Sequence, residues 1–439
     1  MNDKATNMSR YRDIAILSTS FVLLTSLVFQ GYLRFIFFQT GRPLLVYVPK
    51  FLLAAIFLFL ILSASLTGKI RWTTIAGASM ISVPALVGVL YTGSAIQVVF
   101  ELFVFLPLFF GVVAEPTLHR YFERCTPYVA ILLASCIVGV AYNYFIGNVP
   151  WSGVEYKIGT TALATSRHWN AFGINRISGF SIASYAAAAQ LIIFTLCLSL
   201  TQKRNILHRI TIMLVWILSI AAVLVTTTKT AIVVIIALAL FFVLLDARIV
   251  PKLIKRVIVT STPIIIAFIG VIAPLSTVFI DYGFHLNSFI SRFVFASLGE
   301  RLDTTWPNAI ELLAKHGNWV LGRGIGGIGV AQQYFEANLY EAGDNIYLYL
   351  YVMLGVASVF LVALYVFAVS RLDVLHDRWD RLMWFLSITV LWTGWTTNEL
   401  EEGLAAFVLG VTFSYAVRRM MVNGSRRGHC EGAYLVDRS

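Results

Sequence analysis

Apolar runs broken by short charged or turn-forming segments recur along the whole chain, at 14–33, 44–66, 72–90, 95–114, 127–146, 181–200, 210–228, 230–247, 257–280, 345–369, 382–397 and 403–417. Most are apolar on every face, which predicts helices immersed in lipid rather than helices laid on a water-soluble core. One bilayer crossing takes roughly 20 such residues. The pattern therefore predicts an all-α polytopic membrane protein with about 12 transmembrane helices, as a single integral membrane domain over residues 1–439. The first run is long enough to span, so the N-terminus reads as retained rather than as a cleaved signal.

Composition sharpens this reading. Hydrophobic residues make up 59% of the chain and charged residues 13%, whereas an ordinary soluble domain carries about 25% charged residues, so a water-soluble enzyme is excluded. The net charge of +11 reports orientation through its distribution. With the N-terminus inside, 22 of the 33 basic residues fall in inner segments, as expected when Lys and Arg stay cytoplasmic. Both termini are then cytoplasmic, and the basic tail 418–439 faces lipid headgroups. The connections on the inner side are short, while two on the outer side are long, at about 147–180 and 281–344. Long polar loops in so economical a chain point to chemistry on the outer face. Cys125, Cys136, Cys197 and Cys430 have no C-x-x-C spacing and suggest neither a disulfide framework nor a metal site.

Three ionisable residues sit where hydrocarbon is costly: Lys50, Glu101 and Lys229. Lys50 and Glu101 lie about 9 Å below the outer ends of their spans and could pair, unless Lys50 snorkels outward and Glu101 finds a hydroxyl. Lys229 occupies the turn TTTKTA, where threonine hydroxyls could complete an anion seat, or the cation could simply face water. The first long loop offers Lys157, Arg167, His168 and Arg176, with Trp151 and Trp169 as interfacial anchors. Arg176 stands at the membrane surface, where a planar guanidinium suits a diphosphate.

The second long loop contains ERLDTTWPNAIELLAKHG, whose Leu302, Trp306, Ile310 and Leu313 have helical spacing and predict an amphipathic helix on the outer leaflet. Gly322, Gly324 and Gly327 in LGRGIGGIG match G-x-G-x-x-G, but no strand precedes them, so a dinucleotide fold is not implied. Such a segment can still bring bare amides to a phosphate or a sugar. Asp344, Tyr347 and Tyr351 follow at i, i+3 and i+7, on one helical face at the outer mouth of a span.

The succession RISGF, TTTKTA, ERLDTTWPNAI, LGRGIGGIG and DNIYLYLYVMLGV resembles the O-antigen ligase and polymerase superfamily over roughly residues 165–365. The resemblance implies a glycosyltransferase C-like membrane enzyme of the bacterial inner membrane. Such an enzyme takes a glycan from an undecaprenyl diphosphate carrier on the outer side and joins it to an acceptor sugar. It also implies roles for residues. Arg176 matches the arginine of the first large loop, Lys229 the basic residue of the hairpin, Arg301 the arginine before the amphipathic helix, and Gly322 with Gly324 the glycine segment.

Asp344 takes the place of the ligases' histidine before Asn345, which favours a repeat-unit polymerase of the Wzy type over an O-antigen ligase. In the absence of a D-x-D motif in the sequence, cations are expected to carry the leaving diphosphate without metal or cofactor. Arg176 and Arg301 are expected to act with Asp344 in catalysis, and Arg167, Lys229, Arg292, Arg323, Asn345, Tyr347 and Tyr351 in binding. His168, His285 and His316 are alternative proton acceptors, while Glu399, Glu401 and Glu402 could orient acceptor hydroxyls or merely hold their loop in water. The expected partners are the bilayer, the undecaprenyl-diphosphate-linked glycan, a flippase and a chain-length regulator, with no nucleic acid. A transporter of lipid-linked sugars is the rival from another class, although it would gather its charges at the midplane between related halves.

Overall fold

The computed structural model describes residues 2–66, 72–158, 161–167, 170–171, 174–201, 206–283 and 289–436. The chain opens with α1 (Asn2–Val28) and α2 (Gln30–Gln39), then a 3₁₀ turn (Pro43–Tyr47) leads into α3 (Val48–Leu66). Next come α4 (Trp72–Thr92), α5 (Ala95–Val104) and α6 (Leu106–Ile146). The first long loop forms two small antiparallel hairpins, β1 (Glu155–Ile158) with β2 (Thr161–Ala164) and β3 (Asn170–Ala171) with β4 (Ile174–Asn175). Four helices follow: α7 (Ser184–Thr201), α8 (Ile206–Val225), α9 (Lys229–Asp246) and α10 (Lys252–Ser276). The second long loop carries α11 (Phe289–Glu300), a π-helical turn (Arg301–Thr305), α12 (Trp306–His316) and α13 (Val330–Phe335). The chain ends with α14 (Ile346–Leu354), α15 (Val356–Ser370), α16 (Arg378–Thr393) and α17 (Gly403–Val436).

Six stretches among the described residues are long and apolar enough to cross a membrane: Arg10–Val28, Pro43–Leu62, Leu106–Ile146, Lys229–Asp246, Lys252–Ser276 and Gly403–Val422. The protein is thus a helical, membrane-embedded molecule. Shorter apolar helices such as Arg209–Val225 and Val356–Ser370 fill the remaining hydrophobic runs. Large apolar side chains of α3, α8 and α10 stand exposed, among them Phe51, Ile217 and Phe268, as surfaces meant for lipid do. By contrast α7 and α16 are wrapped on nearly every side. Small residues let helices approach, since van der Waals packing rather than water drives helix association in lipid. A Cβ on Gly111 of α6 would lie 2.2 Å from the Phe407 carbonyl oxygen of α17, and one on Gly410 2.1 Å from that of Leu108.

Several sequence expectations change. The runs 95–114 and 127–146 do not form two separate helices. α5 ends at Val104 and α6 continues unbroken for 41 residues, with Pro116 and Pro127 inside it, although one crossing needs only about 20. The run 345–369 divides at Gly355, whose φ of +57° and contact with Val320 O leave no space for a side chain. The stripe Leu302, Trp306 and Leu313 is buried in protein and Ile310 packs partly buried beside it, so the apolar face of α12 meets the fold. The first long loop adds two small hairpins to a fold that is otherwise α-helical, as expected.

Ion pairs mark the end of the bundle away from the long loops: Asp13 with Arg120, Glu115 with Arg418, Asp246 with Arg381 and Asp380 with Arg419. The opposite end gathers both long loops and the 394–402 turn, tied by Gly31 N to Phe180 O at 2.9 Å and Ile346 N to Gly394 O at 2.8 Å.

Candidate functional site

Arg301 organises the loop end. It stands in the π-helical turn, where the extra residue per turn re-aims a side chain, and its Nη2 donates to the Thr396 carbonyl at 2.9 Å and meets Asp344 Oδ2 at 3.4 Å. Its Nη1 donates to the Ser297 carbonyl at 2.9 Å and to the Ser297 hydroxyl. The guanidinium is thus fixed by three segments, while the Asp344 side chain remains 41% exposed and open to an incoming group.

Two further cations converge on it. Burial, and next the Arg301 charge, pull the Arg176 pKa below its ordinary value. Lys229, first residue of α9, lies within electrostatic reach of both Arg176 and Arg301. Its neighbour Thr230 shares a 2.8 Å hydrogen bond with Thr396, which joins the hairpin to the Arg301 anchor. Just before it, Thr227 adopts φ +57°, a left-handed conformation that costs a residue with a Cβ about 1–2 kcal/mol. Three positive charges held together by separate parts of the chain repel one another, an arrangement suited to an anion with several charges.

A second cluster adjoins the first. Arg34 of α2, Lys50 of α3 and Arg167 of the first long loop lie within electrostatic reach of Glu401 or of one another. Tyr340 feels Glu401, Arg167 and Asp344 together, so the two clusters border a common region. Lys50 and Glu101 attract each other without forming a close salt bridge. Glu101 Oε1 accepts from the Tyr349 hydroxyl at 2.7 Å and Oε2 from Ala331 N at 3.2 Å, while the Lys50 ammonium sits 5.5 Å from the Phe103 ring. Glu401 Oε1 in turn accepts from Val330 N at 2.7 Å and lies 3.1 Å from the Tyr349 hydroxyl oxygen. Burial, and next the Glu101 charge, raise the Glu401 pKa. Burial also pushes Glu402 up to about 7 and raises Glu399.

Other candidates are occupied elsewhere. Arg323 is 1% exposed and bonds Glu336 at 2.8 Å, the Gly327 carbonyl and the His316 carbonyl, so its charge organises the glycine segment from within. Gly322 (φ +77°) packs on the Met353 backbone, and Gly324 (φ +81°) on Gly88 of α4. Their bare backbone meets protein rather than a phosphate. Asn345 caps α14, accepting from Tyr347 N and Leu348 N at 2.9 Å, and donates to the Gly270 and Trp395 carbonyls. Tyr347 points into the core and donates to the Leu391 carbonyl at 2.9 Å, and Tyr351 donates to the Trp319 carbonyl at 3.2 Å. The shared face expected for Asp344, Tyr347 and Tyr351 does not form, because Asp344 precedes the helix.

His168 and His285 lie outside the described residues, as do the side chains of Arg292 and Lys157. His316 is exposed. Sequence reasoning missed Arg34, although a guanidinium interrupting the apolar run GYLRFIFF was a visible signal. It also missed Thr396, which acts through its backbone carbonyl and so leaves no side-chain signature.

No protein-family model, curated protein or solved structure matches this chain.

Proposed function

We propose that the protein is a membrane glycosyltransferase that polymerises undecaprenyl-diphosphate-linked repeat units into a surface or exopolysaccharide. The observation that carries this reading is the convergence of Arg176, Lys229 and Arg301 beside the accessible carboxylate of Asp344. The acceptor hydroxyl attacks the donor's anomeric carbon as the bond from that carbon to the phosphate oxygen breaks. Asp344 takes the hydroxyl proton, and the three cations balance the charge that grows on the departing diphosphate. In-line attack inverts the anomeric centre.

The chain is read as crossing the bacterial inner membrane about 12 times with both termini cytoplasmic, which sets the site on the outer side, where a flippase would deliver the donor and a chain-length regulator would act. Asp344 in place of a histidine favours another repeat unit, rather than a lipid A core, as acceptor.

Purified protein given undecaprenyl-diphosphate-linked oligosaccharide without an ion gradient should lengthen it with inverted stereochemistry, and Asp344→Asn should abolish the lengthening. Carrier translocation without new glycosidic bonds would mark a transporter and overturn the proposal.

A further inference from the structure

Two carboxylates that the proposed mechanism does not use meet on one phenol. Glu101 is fully buried, and its Oε1 stands 2.7 Å from the hydroxyl oxygen of Tyr349, itself fully buried. Glu401 Oε1 stands 3.1 Å from the same oxygen. A phenol carries one proton and can donate it to one acceptor only. With both glutamates ionised, the second approach would set two lone-pair oxygens against each other, and two like charges side by side in a buried site, which strengthens the hold of the pair on a proton. One proton on the pair removes both conflicts: Tyr349 donates to one carboxylate while the other, as the acid, donates to the phenol oxygen. That proton belongs to the pair rather than to either residue.

The cluster also holds a segment of the second long loop. Val330 N donates to Glu401 Oε1 at 2.7 Å and Ala331 N to Glu101 Oε2 at 3.2 Å, so each carboxylate takes one of the amides left over at the start of α13. Gly329 permits the approach, since at its φ of +87° a Cβ would lie 2.0 Å from Glu401 Oε1. Beyond α13 the chain folds back on itself, through Gly329 N to Glu341 O at 3.2 Å and Glu341 N to Gln332 Oε1 at 2.9 Å. It then reaches Gly343, where a Cβ would come within 3.0 Å of the Tyr349 ring, and Asp344 is next. Glu401 lies in the same 394–402 turn whose Thr396 carbonyl anchors Arg301. The cluster thus ties the segment bearing Asp344 to the turn bearing the Arg301 anchor.

Other groups face it. Lys50 of α3 draws on Glu101 and Arg167 of the first long loop on Glu401, while Tyr185 of α7, Tyr340 and Asn398 are neighbours without charge at neutral pH. The two cations favour ionisation, which keeps loss of the proton within reach at alkaline pH. Burial, and next the Glu101 charge, raise the Glu401 carboxyl above its ordinary value. Its stabilising contribution is therefore complete at acid pH and fades as pH rises through the folded value.

We infer that Glu101, Tyr349 and Glu401 share a single proton and through it act as positioning residues, holding Asp344 in reach of Arg301. The inference rests on the function proposed above for the role of Asp344. When the proton leaves for solvent, the two carboxylates repel, the start of α13 is released, and Asp344 loses its place.

Infrared spectroscopy and hydrogen–deuterium exchange of the full-length protein in detergent test this without substrate. Glu101→Gln and Glu401→Gln should each remove the same carboxylic-acid carbonyl band, because either leaves a single carboxylate free to ionise. In the wild type, amides of 328–343 should be protected at pH 6 and lose protection towards pH 9, by about 10-fold per pH unit above the midpoint once intrinsic exchange is corrected for. Glu401→Gln, a permanent mimic of the acid form, should keep them protected throughout. It should also raise the ratio of the transfer rate at pH 9 to that at pH 6 by at least ~10-fold, and Glu101→Gln should do the same if Glu401→Gln does not fold. Wild-type protection that ignores pH, an acid band untouched by both substitutions, or a folded Glu401→Gln protein unprotected at pH 6 would each overturn the inference. Glycan lengthening by such a protein leaves the proposed function standing, whereas the expected signatures in a protein that forms no glycosidic bond overturn that function instead.

Discussion

Removing Arg301 is the most direct perturbation of the proposed chemistry. Its guanidinium contacts Asp344 at 3.4 Å and the Thr396 carbonyl at 2.9 Å, and also holds Ser297. At that separation and an effective dielectric of 20, the bare attraction to Asp344 would be about 5 kcal/mol. The Asp344 side chain is 41% exposed, so solvent screening reduces the pair to about 1 kcal/mol of stability. The charged hydrogen bond to Thr396 adds about 1.5–3 kcal/mol. Arg301→Ala should therefore lose a few kcal/mol of stability yet remain foldable.

Its effect on transfer should be larger than on folding, because loss of one preorganised charge aimed at a developing anion costs about 100- to 1000-fold in rate. Arg301→Lys keeps the charge but cannot bridge Ser297, Thr396 and Asp344 with one planar fork, so its rate should fall between wild type and alanine. Single-turnover extension of a lipid-linked oligosaccharide by purified, monodisperse variants measures this. A folded Arg301→Ala protein that transfers within about threefold of wild type, a barrier change under about 1 kcal/mol, would refute the reasoning.

Arg323→Ala should act on folding and not on substrate affinity: removing a buried cation strands Glu336 and should lower stability by about 3–5 kcal/mol, read as loss of monodisperse protein. Gly324→Ala should be at least as damaging, since its Cβ would sit 1.9 Å from Gly88 N at a φ of +81°, and thermal unfolding in detergent measures it. Thr227→Gly relieves a left-handed threonine and should raise stability by about 1 kcal/mol while slowing transfer, because it loosens the turn that presents Lys229. For Glu402, the folded pKa of about 7 lies above the ordinary 4.5. The resulting stabilisation is full below pH 4.5 and is lost as pH rises through 7. Glu402→Gln, which keeps an acceptor for Ala405 N, should thus raise the melting temperature at pH 8, by up to about 3 kcal/mol of stability, and leave it unchanged near pH 4.

The hydrophobic pattern alone determined that the chain folds as apolar helices in a membrane, because burying backbone polar groups in lipid leaves few other options. The pattern also exposed the long loops and Lys229 as a charge standing where hydrocarbon disfavours it; Arg176 and Asp344 stood out at the outer mouths of spans, and Arg301 entered only through the family resemblance. What it could not separate was a charge facing a ligand from a charge facing a neighbour. Arg323 and Arg301 are both loop arginines, yet one is sealed under Glu336 and the other reaches an open carboxylate. Asn345 and Tyr347 look like site residues until the carbonyls of Gly270, Trp395 and Leu391 take their donors. Those partners come from helices distant in sequence. Transfer free energy is a property of each residue and its immediate run, so it reads out of the chain in order. Hydrogen-bond partnership and electrostatic reach depend on which remote segments pack together, and that was decided only when the helices closed.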